Sequence, residues 1–303
     1  MSIKPALKGL VVASYGKRFD VEIFDKLLND KTRISCVTRG KKTDLACGDI
    51  VNIKLTDKRE GVVESSQPRK SLLYRSNAFK SKILASNVTQ IVITLATQPS
   101  FYENLLNRCL VAAEAAKIKP LIVLNKCDLD DISDAKITLK RYENLGYQVL
   151  HLAATENITG LLPHLRHHQS VLVGQSGMGK STIINALLPN ENVRTQIVSE
   201  ALDSGKHTTT ATHLYHLEGL GLDAGSSLID SPGLQEFGLH HLSNEQIELA
   251  FVEFKPFLGK CRFNNCKHSH EPDCAVINAV KNGAIANERL RFYQELSTEL
   301  TLS

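Results

Sequence analysis

The 303-residue sequence predicts a multidomain chain: an N-terminal OB-type β-barrel, a central α/β domain around a parallel sheet, and a C-terminal helical module. Three observations carry this expectation. Short β-segments broken by polar turns fill residues 8–64, strands and helices alternate from about residue 83, and three cysteines crowd residues 261–274 between helical stretches. The boundaries that follow are 1–82, 83–240 and 241–303. A chain of this length exceeds what one hydrophobic core commonly holds, so two or three domains are expected on size alone.

The first segments, "GLVVASYG", "RFDVEIF", "RISCVTRG", "DIVNIKL" and "REGVVESS", place Val, Ile and Phe between Gly, Asp and Lys turns. That spacing suits a small barrel, and a five-stranded OB-type barrel is the preferred form. Residues 1–82 hold 18 Lys and Arg against 9 Asp and Glu, whereas the whole chain is only +4. A basic first domain therefore precedes a mildly acidic remainder, which points to a polyanionic partner, most simply nucleic acid. The following "SSQPRKSLLYRSNAFKSK" reads as a polar linker or loop.

From residue 83, "QIVITLAT" and "PLIVLN" read as buried strands separated by the helical run "ENLLNRCLVAAEAAK". "ISDAKITLKRYENLG" is helical and stops at Gly146, a C-cap candidate. "YQVLHLAA", "SVLVG", "THLYHLEG" and "SSLIDSPG" supply further strands, and "KSTIINALL" a helix ending before Pro189. Strands alternating with helices predict a parallel sheet with helices on both faces. "NEQIELAFVEF" and "INAVKNGAIANERLRFYQELSTEL" are helical and bracket the cysteine cluster. The apolar runs are too short to cross a bilayer and "MSIKPALKGL" lacks the features of a secretory signal, so a cytoplasmic location is expected.

"GQSGMGKST" fits the phosphate-loop pattern G-x-x-x-x-G-K-[ST] between a strand and a helix. Gly174, Gln175, Ser176, Gly177, Met178 and Gly179 would curl their backbone around phosphates. Lys180 would reach the β/γ oxygens, Ser181 would give a hydroxyl to Mg²⁺, and Thr182 closes the nucleotide-binding run. "NKCD" at the end of a buried strand selects the base. Asp128 would accept from guanine N1–H and the 2-amino group, Asn125 would brace the loop, and the Lys126 stem would lie along the base. Cys127 fills the free position of the tetrapeptide. "DSPG" ends another strand, where Asp230 would hold Mg²⁺ through water and Gly233 would donate its N–H to the γ-phosphate. Leu234 follows, where Ras-like enzymes carry a glutamine that orients the attacking water. In "GKHTTT", Thr209 is the candidate Mg²⁺ ligand and His207 the candidate for aiming that water. The base reader precedes the phosphate loop along the chain, the reverse of an ordinary GTPase.

Cys261, Cys266, His268 and Cys274 complete a Cys₃His set within fourteen residues, the ligand complement of a closed structural zinc site. His270 is the nearby rival ligand. Cys36, Cys47, Cys109 and Cys127 are scattered and read as reduced bystanders.

Taken in order, basic barrel, NKCD, GQSGMGKST, GKHTTT, DSPG and the cysteine cluster resemble the RsgA/YjeQ family of circularly permuted GTPases over essentially the whole chain. The resemblance implies GTP hydrolysis in late assembly of the small ribosomal subunit, contact with its rRNA, stimulation by the subunit, GTP and GDP as ligands, Zn²⁺ and Mg²⁺ as cofactors, and a monomer. It also implies a hydrophobic residue at Leu234. One departure concerns the base-backing Ser-Ala pair of the family, whose place Ala153 and Ala154 fill in "LAAT". An RNA-binding scaffold with a slow nucleotide switch stays open beside this reading, favoured by Leu234. A P-loop ATPase or kinase is opposed by NKCD.

Overall fold

The computed structural model describes residues 7–24, 32–39, 44–76, 81–129, 131–189, 211–218, 220–223, 225–230 and 239–301. Five strands, β1 (Leu7–Ser14), β2 (Arg18–Ile23), β3 (Arg33–Thr38), β4 (Ile50–Leu55) and β5 (Glu60–Ser66), form a closed barrel. Closure follows the order β1-β2-β3-β5-β4, with β4 returning to pair with β1. Alternation seals its interior, because Val11, Phe19, Val21, Ile34, Cys36, Val51, Ile53 and Val63 point inward and are buried together. At Gly9 the barrel wall is so close that an added Cβ would lie 2.5 Å from Val21 Cγ1.

The stretch expected to be a linker is instead a hairpin, β6 (Leu72–Ser76) paired antiparallel with β7 (Ser81–Ser86). Its polar residues hide an apolar face: Leu73, Leu84 and Ala85 are buried in the main core. Tertiary packing outweighs the polar composition that suggested a loop.

The central sheet contains β8 (Gln90–Leu95), β9 (Lys119–Leu124), β10 (Gln148–His151), β11 (Gln169–Val173), β12 (Thr212–His216) and β13 (Ser227–Asp230). Its order is β10-β9-β8-β11-β13-β12, all parallel except β12. Begun at β11 and continued through β13 into β8, the same sheet would read 2-3-1-4-5-6, so the permutation lies in the chain order and not in space. Alternate residues of β8 serve opposite faces. Ile91, Ile93 and Leu95 pack with α1 (Glu103–Ala115) and α2 (Ser133–Asn144), while Val92 packs with Ile183, Ile184 and Leu187 of α4 (Lys180–Leu187). A short helix, α3 (Leu162–Leu165), joins that second face through Leu165. Helices thus cover both faces, as the continuous apolar strands require. Gly146, at φ 91°, follows the last residue of the α2 cap, as predicted.

The C-terminal part comprises α5 (Asn244–Ala250), α6 (Ala275–Lys281) and α7 (Asn287–Thr301). The expected single helical run from Ile277 is split at Gly283, whose φ of 74° ends α6. Phe251, Phe254, Phe292 and Tyr293 stack together and join the core beneath α1. A buried polar group ties α7 to the central domain: Arg289 donates to Glu253 and Asn107, and the Tyr142 hydroxyl bonds Asn107 at 2.7 Å. A cation this deeply buried is tolerated because each guanidinium nitrogen finds a partner.

Candidate guanine-nucleotide site and metal centre

Because β8, β9, β10, β11 and β13 are parallel, their carboxyl ends share one edge, the crevice where such sheets take ligands. NKCD leaves β9, whose Leu124 is in register with Leu95 of β8 and His151 of β10. GQSGMGKST leaves β11, whose Val173 lies opposite Ile93, and Asp230 ends β13 opposite Leu172. Sheet hydrogen bonding therefore gathers segments that span more than a hundred residues of sequence.

Asn125 holds this crevice together. Its buried amide Nδ2 donates to the Met178 carbonyl at 3.1 Å, and its Oδ1 accepts from the Ala154 N–H at 3.1 Å. One side chain thus ties NKCD to GQSGMGKST and to "LAAT". The contact requires glycine at 179, where a Cβ would come within 2.2 Å of Asn125 Nδ2 and φ is 87°. At Gly174 a Cβ would meet the Thr94 carbonyl oxygen at 2.3 Å. The Cys127 N–H donates to the Leu152 carbonyl, which fixes NKCD against β10. Asp128 is exposed at the end of this segment, free of the core and facing solvent.

Sequence reading missed a third wall. Residues 98–102 lie between NKCD and the phosphate loop: Lys126 Nζ donates to the Gln98 carbonyl at 2.6 Å, and Gln175 Oε1 accepts from the Tyr102 N–H at 2.8 Å. Pro99 closes over Gly177, 2.9 Å from where its Cβ would be. The Gln-Pro dipeptide at the end of a buried strand was the available signal.

Lys180 opens α4 and folds back, donating to the carbonyls of Gly174 and Gln175 at 2.6 Å each. Burial lowers its pKa from the usual lysine value, and the nearby Asp230 carboxylate opposes that shift. Ser181 and Thr182 follow, half-buried in the first turn; Ser176 and Gly177 are exposed, and Met178 is buried beneath them. His207, Thr209, Gly233 and Leu234 lie outside the described residues.

The four metal-ligand candidates are brought together, with donor atoms all within 4.8 Å of one another. His268 Nδ1 lies 3.6 Å from Cys261 Sγ, 3.5 Å from Cys266 Sγ and 3.2 Å from Cys274 Sγ; Cys261 and Cys274 sulfurs are 3.8 Å apart. A tetrahedron with metal–sulfur bonds of about 2.3 Å and metal–nitrogen of about 2.05 Å has edges near 3.8 Å and 3.6 Å. These four separations lie within about 0.4 Å of those edges, so the cluster approaches the dimensions of a tetrahedral metal site. His270 is exposed, its Nδ1 bonded to Ser269 Oγ, and stands apart. Two residues complete the centre that no motif announced. Glu248, on α5, bonds His268 Nε2, leaving Nδ1 aimed at the sulfurs. Glu271 accepts backbone N–H groups from Lys267, Ser269 and His270, which ties the loop between the ligands. Those bonds outweigh partial burial and lower its pKa to about 2. Cys36, Cys47 and Cys109 are buried and form no disulfide.

A closed barrel, a P-loop motif on a parallel sheet with NKCD ahead of it in sequence, and a C-terminal Cys₃His cluster define a circularly permuted P-loop nucleotide-binding protein. The RsgA GTPase family model matches residues 66–240. Two relatives, each described as small ribosomal subunit biogenesis GTPase RsgA, cover nearly all of the chain. That of Nitrosospira multiformis is 48% identical over 98% of this chain and 92% of its own. That of Neisseria meningitidis serogroup B is 48% identical over 96% and 91%. The crystal structure of YjeQ from Thermotoga maritima superposes with a TM-score of 0.73 at 28% identity, covering 97% of this chain and 98% of that one. YloQ, described as a circularly permuted GTPase, gives 0.70 at 26%, covering 98% and 95%. The chain belongs to the RsgA GTPase family.

Proposed function

We propose that this chain hydrolyses GTP to GDP and phosphate during late assembly of the small ribosomal subunit, and that the subunit stimulates the reaction. The observation that carries the reading is Asn125, which joins the base-reading segment to the phosphate loop in one crevice. Asp128 selects guanine by accepting from N1–H and the 2-amino group, and the Lys126 stem lies along the base. Backbone N–H groups of 174–182 and the Lys180 ammonium hold the phosphates and stabilise the charge that builds as water attacks the γ-phosphorus in line and the bond to the bridging oxygen breaks. Mg²⁺ bound with the nucleotide supplies further charge neutralisation. Ser181 and Thr209 are its proposed ligands, with Asp230 acting through water. Gly233 donates its N–H to the γ-phosphate and His207 aims the water. Leu234 cannot orient that water, which is why the subunit is needed.

The metal of the Cys₃His centre is inferred to be zinc, since the four donors leave no open position and match its ligand preference. The zinc is structural and holds a loop that has little core of its own. Residues 1–82 act as the basic RNA-binding part, 83–240 as the nucleotide domain and 241–303 as the zinc module. Both flanking parts meet rRNA through phosphates and RNA shape. Among the described residues no helix is long and apolar enough to cross a membrane. The chain works as a monomer in the cytoplasm.

Phosphate release from GTP, measured alone and with purified small subunits, large subunits and free RNA, tests the proposal. Stimulation by the small subunit alone is expected. Equal turnover in all four conditions would leave the second reading, an RNA-binding scaffold with a slow switch, which Leu234 favours.

A further inference from the structure

The barrel and the central sheet are one continuous hydrogen-bonded sheet, and β12 is its neck. On one edge β12 pairs with barrel strand β1, Ala13 opposite His213 and Ser14 opposite Thr212. On the other edge it pairs with β13, where the same His213 lies opposite Asp230. Ala13, His213 and Asp230 therefore stand in one row across three strands, from the barrel wall to the carboxylate end of β13.

Two backbone pairs alone would make a weak joint, but side chains from three barrel segments reinforce it. The buried Cys47 thiol donates to the Thr212 carbonyl at 3.0 Å. The Tyr15 ring meets His213 edge-on at 5.6 Å, and its hydroxyl donates to Asp20. On β2, Glu22 is only 3% exposed, and its Oε1 lies 3.0 Å from His216 Nε2 on β12. Its other oxygen faces Arg33 Nε on β3 at 3.7 Å, so the buried carboxylate sits between a barrel cation and β12, and its contact with His216 favours one register of barrel against β12. A slip by one residue would turn every β12 side chain to the wrong face. The barrel cannot move without breaking these contacts or carrying β12, and with it the strand pair that places Asp230.

We propose that the barrel positions Asp230 for the Mg²⁺–GTP complex, acting through His213 and the Glu22–His216 contact. The proposal rests on Asp230 serving the Mg²⁺. Polyanion binding on the barrel and Mg²⁺-dependent hydrolysis are then linked, and the linkage is reciprocal.

The test uses the full-length chain with Glu22→Gln and, separately, Tyr15→Leu. Two quantities are read: the Mg²⁺ concentration giving half-maximal GTP hydrolysis, and the affinity for a fluorescent GDP analogue without Mg²⁺. The expected result is a rise in half-saturating Mg²⁺ of roughly fivefold or more, recovery of turnover at high Mg²⁺, and unchanged Mg²⁺-free affinity. A merely structural role would reduce the active fraction without moving the Mg²⁺ midpoint. An unmoved midpoint in whichever variant folds, with a raised midpoint in an Asp230→Asn control, would overturn the linkage. An unmoved midpoint in Asp230→Asn itself would overturn the reading of Asp230 on which it rests.

Discussion

The nucleotide crevice and the metal centre are built in opposite ways. The crevice draws on residues 125–128, 152–155, 174–182 and 230, held in place by a parallel sheet whose strands are buried on both faces. The four candidate metal ligands lie within fourteen consecutive residues between α5 and α6, a stretch of turns in which only His268 and Cys274 are buried. A sheet supports its site whether or not a ligand is bound. A loop with so little apolar surface would obtain its order from an ion held by the four ligands. On the proposed function the nucleotide is a guest in a preformed crevice, whereas the metal would be part of the fold.

The contrast breaks most visibly if the metal is removed. In Cys261→Ser/Cys266→Ser, stoichiometric zinc should disappear together with amide-exchange protection across α6 and α7. A structural zinc is worth about 10–16 kcal/mol in zinc-finger peptides, comparable to the whole stability of a domain. Guanine-nucleotide binding should remain at one per chain; persistent protection in α6 and α7 would mean that the loop folds without its ion. Lys180→Ala is the converse case. Zinc content and melting temperature should stay as they are, while kcat for GTP falls about a hundred- to a thousandfold, read by phosphate release. The smallest effect sharpens the comparison within the metal centre. Glu248→Ala should weaken zinc about 10- to 100-fold in competition with a chromophoric chelator, and Glu248→Gln less, since the amide oxygen still accepts from His268 Nε2. Equal affinity in all three chains would show that His268 needs no partner on α5.

The same contrast explains what could be read from sequence. The candidate metal ligands are local, so Cys261, Cys266, His268 and Cys274 stand out in the sequence as a set, with His270 as a rival that the structure places apart. The motifs of the crevice were equally legible, because Gly174, Gly179 and Lys180 meet local demands of a phosphate-binding turn. Their partners were not. Asn125 reaches Met178 and Ala154 only because β9, β10 and β11 end side by side, and that depends on strand order. Glu248 stands 20 residues from His268, on a helix whose pattern distinguishes it from no other acid. The hairpin β6–β7 escaped notice because Leu73 and Leu84 find their burial against distant parts of the chain. The pairing of β12 with the barrel escaped for the same reason. Its register depends on Glu22 and His216, far apart in sequence and unremarkable apart from their contact.

The central claim is that NKCD and GQSGMGKST, in reversed order along the chain, form one guanine-nucleotide site. Calorimetric titration of GDP and xanthosine diphosphate into the natural chain and into Asp128→Asn tests it directly. The natural chain should bind one GDP and prefer it over xanthosine diphosphate. The variant should reverse that preference, with a loss of about a hundredfold or more for GDP, the cost of two hydrogen bonds to a charged group. An Asp128→Asn chain that keeps its full preference for GDP would contradict the account.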